Sequence, residues 1–387
     1  MTVSTDPSYV ALSRPAIGAE EIANVLAALE SGWLTTGPRV AEFEAQFAAY
    51  VGARHAVAVN SCTAALHLSL LASGIGPGDE VITTPLTFCA TANAIIHSGA
   101  TPVFADVDPV TRNLDPQAVA AAITSRTRAI LPVHLAGHPA DMVRLRELAE
   151  RHDLTIIEDA AHAVETRSRA GKVGTTADFT CFSFYATKNL TTGEGGMVTT
   201  ADPEAALWLR TASLHGLSRD GWNRYAKGGS SHYEVLLAGF KYNMTDLQAA
   251  IGIAQLAALE DHHARRAAIT AAYDAAFADL PVTLPVPVAR GERHGHHLYA
   301  ILVHPDAEGR DRDGVARLLA EQGIGTSIHF RALHLHRFYA EKLGLRYGQF
   351  PHAERIAETT LSLPLSGAIS DADVERVIAA VRSVYEE

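Results

Sequence analysis

HAVAVNSCTAALHLSLL, residues 55–71, is the stretch from which the fold is read. His55 to Asn60 alternates alanine with β-branched valine, the composition of a buried strand. Small residues follow directly, and Leu66, Leu70 and Leu71 then recur at helical spacing. A strand that turns straight into a helix is the opening of a βαβ unit. The pattern repeats downstream. Gly74-Ile75-Gly76-Pro77-Gly78 leads to a strand at Val81–Thr84 and a helix around Ala90–His97. Further strands are predicted at Pro102–Val107, Ala129–His134, Leu154–Glu158 and Asp178–Phe184. This alternation predicts an α/β fold, a mostly parallel sheet sandwiched by helices. In such sheets ligands lie beyond the carboxyl ends of the strands, so chemistry is sought immediately after each one.

The pattern changes further on. Met244–Glu260 carries Leu247, Ile251, Ala254 and Ala258 at helical spacing and predicts one long amphipathic helix. The Pro-rich Leu280–Val288 then leads to a strand-like His297–Val303, a helix at Arg312–Gln322 and a last helix at Asp371–Val384. Two units are therefore expected. Residues 1–255 form an N-terminal segment and a large cofactor-binding domain, and residues 256–387 a smaller C-terminal α/β domain.

Composition narrows the partners. The 387 residues are 48% hydrophobic and 19% charged, enough apolar material for extensive cores. Lys plus Arg number 32 against 43 for Asp plus Glu, a formal charge of −11 with no basic run. That argues against nucleic acid or an anionic membrane as partner. Cys62, Cys89 and Cys181 are too scattered for a disulfide framework and sit in apolar stretches, the setting of buried thiols. Met1–Ala11, with Asp6, has no basic and apolar leader pattern, and no apolar run reaches the length of a membrane span. A reducing, cytoplasmic setting is expected.

Three clusters follow predicted strands. In Asn60–Leu66 a helix N-terminus presents open backbone amides to an anion, or is simply an ordinary Ser/Thr N-cap. Ile156-Ile157-Glu158-Asp159-Ala160-Ala161-His162 puts Asp159 at the sheet edge, as a helix cap or as the partner of a cation. Phe182–Leu190 places Lys188 before the glycine-rich Thr192–Met197, where an ordinary surface lysine is the alternative. All three converge on one sheet edge. An anion cradle, a buried carboxylate and a lysine together suit pyridoxal 5′-phosphate (PLP), whose ring is an electron sink when its nitrogen stays protonated.

Across nearly its whole length the chain resembles the fold-type I, PLP-dependent nucleotide-sugar aminotransferases of the DegT/StrS type. Ser31–Pro38, Gly76–Ile82, Ile157–His162, Lys188–Met197 and Gly239–Asp246 carry the likeness. The resemblance implies Lys188 as Schiff-base lysine and proton shuttle, Asp159 against the pyridine nitrogen, and His162 near the ring hydroxyl. It implies Phe88 stacked on the ring, with packing in the core as the alternative. Thr63, Ala64 and Ser183 would hold the phosphate. Asn243 would reach that phosphate from the partner of a homodimer with shared sites, or would serve only the start of the helix capped by Thr245 and Gln248. Cys62 stands where many relatives have glycine. Trp33, Thr35 and Thr36, with His329, Phe330 and Arg331 of Ser327–His334, would flank the sugar nucleotide, Arg331 being otherwise a solvated surface residue.

The His-Phe-Arg-Ala form is most similar to enzymes that make UDP-4-amino-4-deoxy-L-arabinose. The implied reaction aminates a 4-keto nucleotide sugar with L-glutamate, which leaves as 2-oxoglutarate; a 3-keto acceptor is the alternative. A PLP-dependent sugar dehydratase of this family would replace Lys188, usually by histidine. The 19 histidines raise a metallohydrolase, but no HExxH occurs, and His134 and His138 straddle Gly137. No metal is expected. A non-catalytic sugar sensor lacks any basic DNA-binding appendage.

Overall fold

In the computed structural model, which describes residues 9–218, 233–305 and 310–386, the chain builds two sheets around separate cores. Asp6 lies outside the described residues. The central sheet takes β1 (His55–Val59), β2 (Glu80–Thr83), β3 (Thr101–Phe104), β4 (Thr127–Leu131) and β5 (Thr155–Asp159). A two-residue hairpin, β6 (Arg167–Ser168) and β7 (Gly171–Lys172), stands apart, and β8 (Phe179–Ser183) and β9 (Gly196–Thr200) complete the sheet. The seven strands run in the order β1-β9-β8-β5-β4-β2-β3, all parallel except β9, which is antiparallel to both of its neighbours.

Successive side chains of a strand point to opposite faces, and here both faces are buried. Val57, Val81, Ala129, Leu131, Ile157, Cys181 and Val198 enter one core with the helix Cys62–Ala72. Their neighbours Ala58, Phe182 and Met197 enter a second core with Phe43 and Phe47 of the helix Pro38–Val51. Ile82, Ile130 and Ile156 pack in a third with Leu145 and Leu148 of the helix Met142–His152. Burial on both sides is why these strands read as short apolar runs.

The strand β9 was not expected. Only five residues long, it follows a glycine-rich turn and reverses direction, so no β-α spacing announces it. Gly196, its first residue, is the contact between this sheet and the cluster at 61–63. A Cβ there would meet the Ser61 carbonyl carbon at 2.5 Å, its oxygen at 2.6 Å and the Cys62 nitrogen at 2.7 Å.

The predicted helix Met244–Glu260 is in fact two, Asp246–Ala257 and Leu259–Phe277, separated by Ala258 at φ −92°, ψ 0°. The break lets Leu259 pack with Phe43 while Ile269, Tyr273 and Phe277 enter another core. The second sheet orders β10 (Val282–Thr283), β11 (Tyr299–Val303) and β12 (Thr360–Leu363) antiparallel. It is covered by Arg312–Glu321 and Asp371–Glu386. The partition drawn at 255/256 falls in the last turn of Asp246–Ala257. Val10, grouped by sequence with the first unit, is buried in this last core and bridges Ile324.

Gly196→Ala is expected to lower the thermal unfolding midpoint, since overpacking against fixed backbone costs about 1–3 kcal/mol. Gly76→Ala is its control: the new Cβ would meet only the Ser98 carbonyl oxygen, at 3.8 Å, and the midpoint should stay within about 0.5 kcal/mol equivalent.

Candidate active site

Beyond the carboxyl ends of β5 and β8 opens a cavity of about 410 Å³, whose walls include Ser61, Cys62, Thr63, Asp159, His162 and Lys188, and also Phe88, Ser183, Gly195, His297, His329 and Phe330. Three sequence-distant clusters thus meet at one place.

Asp159 ends β5 and is buried. Thr91 Oγ1 donates to its Oδ2 at 2.8 Å and the Ala161 N–H to its Oδ1 at 3.1 Å. Burial pushes its pKa above the usual carboxylate range, although these two donors and the charge of Lys188 pull it down. Lys188 stands in the cavity wall, four residues after the buried Phe184. Dehydration depresses its ammonium to about 8, while Asp159 and then Cys62 favour the charged form. A lysine at that value holds a useful fraction of neutral amine near neutrality, which an exposed lysine does not.

The helix Cys62–Ala72 starts at the floor of this cavity. Ser61 is indeed its cap, accepting from the Ala64 N–H at 3.1 Å. Capping and anion binding coexist: a helix begins with several amides that have no intrahelical acceptor, and the cap satisfies one. Thr63 borders the cavity, whereas Ala64 lies behind it with its amide committed to Ser61. Cys62 is buried, its thiol 3.5 Å from the Cys181 carbonyl, and its pKa is driven well above normal by dehydration and then by Asp159. Cys181 is buried as well, whereas Cys89 is only partly so, and all three cysteines are unpaired.

The walls are aromatic. Phe88 is 59% exposed, so it is no core residue. It faces Phe330 with ring centroids 6.1 Å apart, and Phe330 in turn stacks on His162 at the same distance. Dehydration and then Lys188 hold His329 down at about 4, with Nδ1 2.9 Å from Ser362 Oγ.

Other expected residues lie elsewhere. Arg331 is exposed, does not line the cavity, and donates to the Leu335 carbonyl at 2.9 Å. The solvated alternative describes its position. Trp33, Thr36 and Asn243 line a second cavity of about 680 Å³. There Asn243 Nδ2 donates to Thr36 Oγ1 at 2.7 Å, and the Thr35 carbonyl accepts from the Asp246 N–H at 3.1 Å. Thr245 and Gln248 form the capping box. Cavity residues that the sequence reading did not single out include His297, Tyr185, Thr187, Leu12 and Ser13. Of these His297 left a faint signal, a histidine at the start of a predicted strand. Two other buried histidines lie beside carboxylates, His134 3.5 Å from Glu158 and His334 2.8 Å from Glu354. Among the described residues no group of three or more His, Cys, Asp or Glu is placed to hold a metal. No helix there is long and apolar enough to cross a membrane.

These residues fit PLP. An amine and a buried acid share one cavity with a helix N-terminus, and Gly196 keeps that terminus in contact with the sheet. A sequence model of the DegT/DnrJ/EryC1/StrS aminotransferase family matches residues 15–382. The chain is 52% identical over 379 residues to the spore coat polysaccharide biosynthesis protein SpsC of Bacillus subtilis, covering 98% of this chain and 97% of SpsC. Its fold is similar to Spr1654 of Streptococcus pneumoniae in the PLP form, with TM-score 0.90 and 34% identity over 98% of this chain and 99% of that one. It is also similar to Helicobacter pylori PseC, an aminotransferase involved in the biosynthesis of pseudoaminic acid, with TM-score 0.89 and 30% identity over 98% and 99%.

The depressed lysine has a measurable signature. Uptake of PLP by cofactor-free protein, followed by visible absorbance, should accelerate about tenfold per pH unit and level off near 8. Because Asp159 supports the ammonium, Asp159→Asn should move that midpoint lower. A midpoint near 10 would contradict the burial argument.

Proposed function

The chain belongs to the DegT/DnrJ/EryC1/StrS aminotransferase family, and from that premise we propose that this PLP-dependent sugar aminotransferase converts a 4-keto nucleotide sugar to the 4-amino sugar, with L-glutamate as donor. The observation that carries the reading is a lysine of depressed pKa facing a buried acid in one cavity. A lysine at 188 favours amino transfer over the dehydratase reading, in which that lysine is replaced.

Bound PLP supplies an electron sink for the carbon that carries the amine. The remaining work falls to the protein. Lys188 Nζ would hold the aldehyde carbon of the cofactor. Lys188 Nζ would also be the base that takes a proton from the amine-bearing carbon and the acid that returns it. Asp159 is the acid that keeps the ring nitrogen protonated, and its buried setting strengthens that pairing. Ser183 and the amides at the start of Cys62–Ala72 would hold the phosphate; Phe88, Phe330 and His162 would exclude water from the ring. His329, with Phe330, would contact the sugar.

Asn243, Trp33 and Thr36 are read as acting across a subunit boundary, which makes the enzyme a homodimer with shared sites. Their gathering on a separate cavity supports this. So do Ile22, Leu26 and Leu29, exposed along one helix at a spacing that forms a stripe. Three unpaired thiols support a reducing, cytoplasmic setting.

Lys188→Ala is expected to lose turnover completely while keeping its fold by circular dichroism; full activity in that variant would remove the proposal. A panel of 3-keto and 4-keto nucleotide sugars with glutamate, read by product mass, should yield the 4-amino product. Coexpressed Lys188→Ala and Asn243→Ala chains should recover roughly a quarter of wild-type activity if random pairing of a twofold dimer restores one site per mixed pair. No recovery would place Asn243 in its own chain's site.

A further inference from the structure

Behind Lys188 lies a buried polar chain that the reaction outlined above does not use. Arg266 donates to Glu165, and both side chains are almost wholly buried. Glu165 accepts from Asn189 Nδ2 at 2.9 and 3.2 Å, and the same amide nitrogen donates to the Gly295 carbonyl at 2.7 Å. A carboxylate and a carbonyl only accept. The amide of Asn189 therefore has one orientation: NH2 toward Glu165 and Gly295, oxygen toward His297. The gap between Asn189 Oδ1 and His297 Nδ1 is 3.1 Å. Since that oxygen can only accept, the ring proton of His297 sits on Nδ1 and its Nε2 is a bare lone pair.

The neighbouring imidazole is wired the opposite way. His162 Nδ1 accepts from the Ala136 backbone N–H at 3.2 Å, which puts its proton on Nε2. The two rings lie 4.3 Å apart with 32° between their planes, and both line the Lys188 cavity. Each is kept neutral chiefly by dehydration and then by the charge of Lys188. Two neutral imidazoles of opposite tautomer thus border the cavity.

We propose that His297 is a specificity residue for the acceptor substrate: its Nε2, held unprotonated by Asn189 under Glu165 and Gly295, accepts a hydrogen bond from a sugar hydroxyl near the reacting carbonyl. Glu165 and Asn189 are then positioning residues, acting only through the ring they orient. A neutral acceptor in a dry wall discriminates well, because an analogue without the hydroxyl leaves it unpaired. The substrate part of this inference rests on the keto-sugar reading; the proton assignment does not.

The test uses the PLP-loaded enzyme with 15N-labelled histidine. In long-range proton–nitrogen spectra His297 should show a protonated Nδ1 and an unprotonated Nε2, and His162 the reverse, each assigned by loss of its signals in the corresponding Gln variant. Asn189→Ala should turn the His297 pattern into a mixture of both forms. A proton on Nε2 in the wild type, or an unchanged pattern in Asn189→Ala, overturns the assignment. His297→Asn keeps an N–H donor in the place of Nδ1 and removes Nε2, so a purely structural role would be rescued by it. Its kcat/KM for the keto sugar is expected to fall about 3- to 10-fold, the worth of one net hydrogen bond, with kcat/KM for glutamate unchanged. No change, or an equal fall for both substrates, overturns the specificity role. If the wild type aminates no keto nucleotide sugar, the substrate reading fails while the nitrogen spectra still decide the tautomer.

Discussion

One amine, pulled between its own dehydration and the charge of a nearby acid, is the constraint on which this molecule depends. Burial disfavours the ammonium of Lys188 and burial disfavours the carboxylate of Asp159, yet each stabilises the other's ion. The balance leaves the lysine at about 8, close enough to neutrality for a useful fraction of neutral amine. Neither group could hold that position on a surface, where water would return both to their ordinary values. The sheet supplies the dry place. β5 ends in Asp159 and β8 runs parallel beside it, so residues just past the two strand ends must share one edge.

Around that pair the polar groups are satisfied with few degrees of freedom. Thr91 donates to Asp159 and is itself 2.9 Å from Thr87 Oγ1. Asn189, next to the lysine, is tied by three acceptors and one histidine. Glu165 answers the buried charge of Arg266 on the helix Leu259–Phe277, and accepts from Asn189 in the loop that carries the lysine. A buried ion of this kind is costly to leave alone, so the two cores are joined through the active site rather than beside it. Local electrostatics and overall architecture are here one arrangement.

Much of the fold was legible because its strands are short apolar runs separated by turn glycines and helical leucine patterns. Val57 and Val59, Val81, and Ile156 with Ile157 announced their strands within a residue or two. What escaped was whatever lacked a period. β9 is five residues of mixed character defined only by its two neighbours, and the break at Ala258 follows from where Leu259 must pack rather than from any proline or glycine. At the site, Lys188 and Asp159 stood out as charged residues ending apolar runs. His297 did not, since a histidine at the start of a predicted strand has many ordinary explanations, and a loop sequence does not say which way Arg331 faces.

The sequence by itself determined the α/β class, the sheet edge that the three clusters share, and the lysine and acid brought together there, because spacing and hydrophobic alternation are local properties of the chain. Only the tertiary structure decided which side chains enter the cavity, that Asn243 and Trp33 belong to a different one, and how the protons of His162 and His297 are arranged. Those outcomes depend on groups far apart in sequence meeting at hydrogen-bonding distance, and no local pattern encodes that meeting.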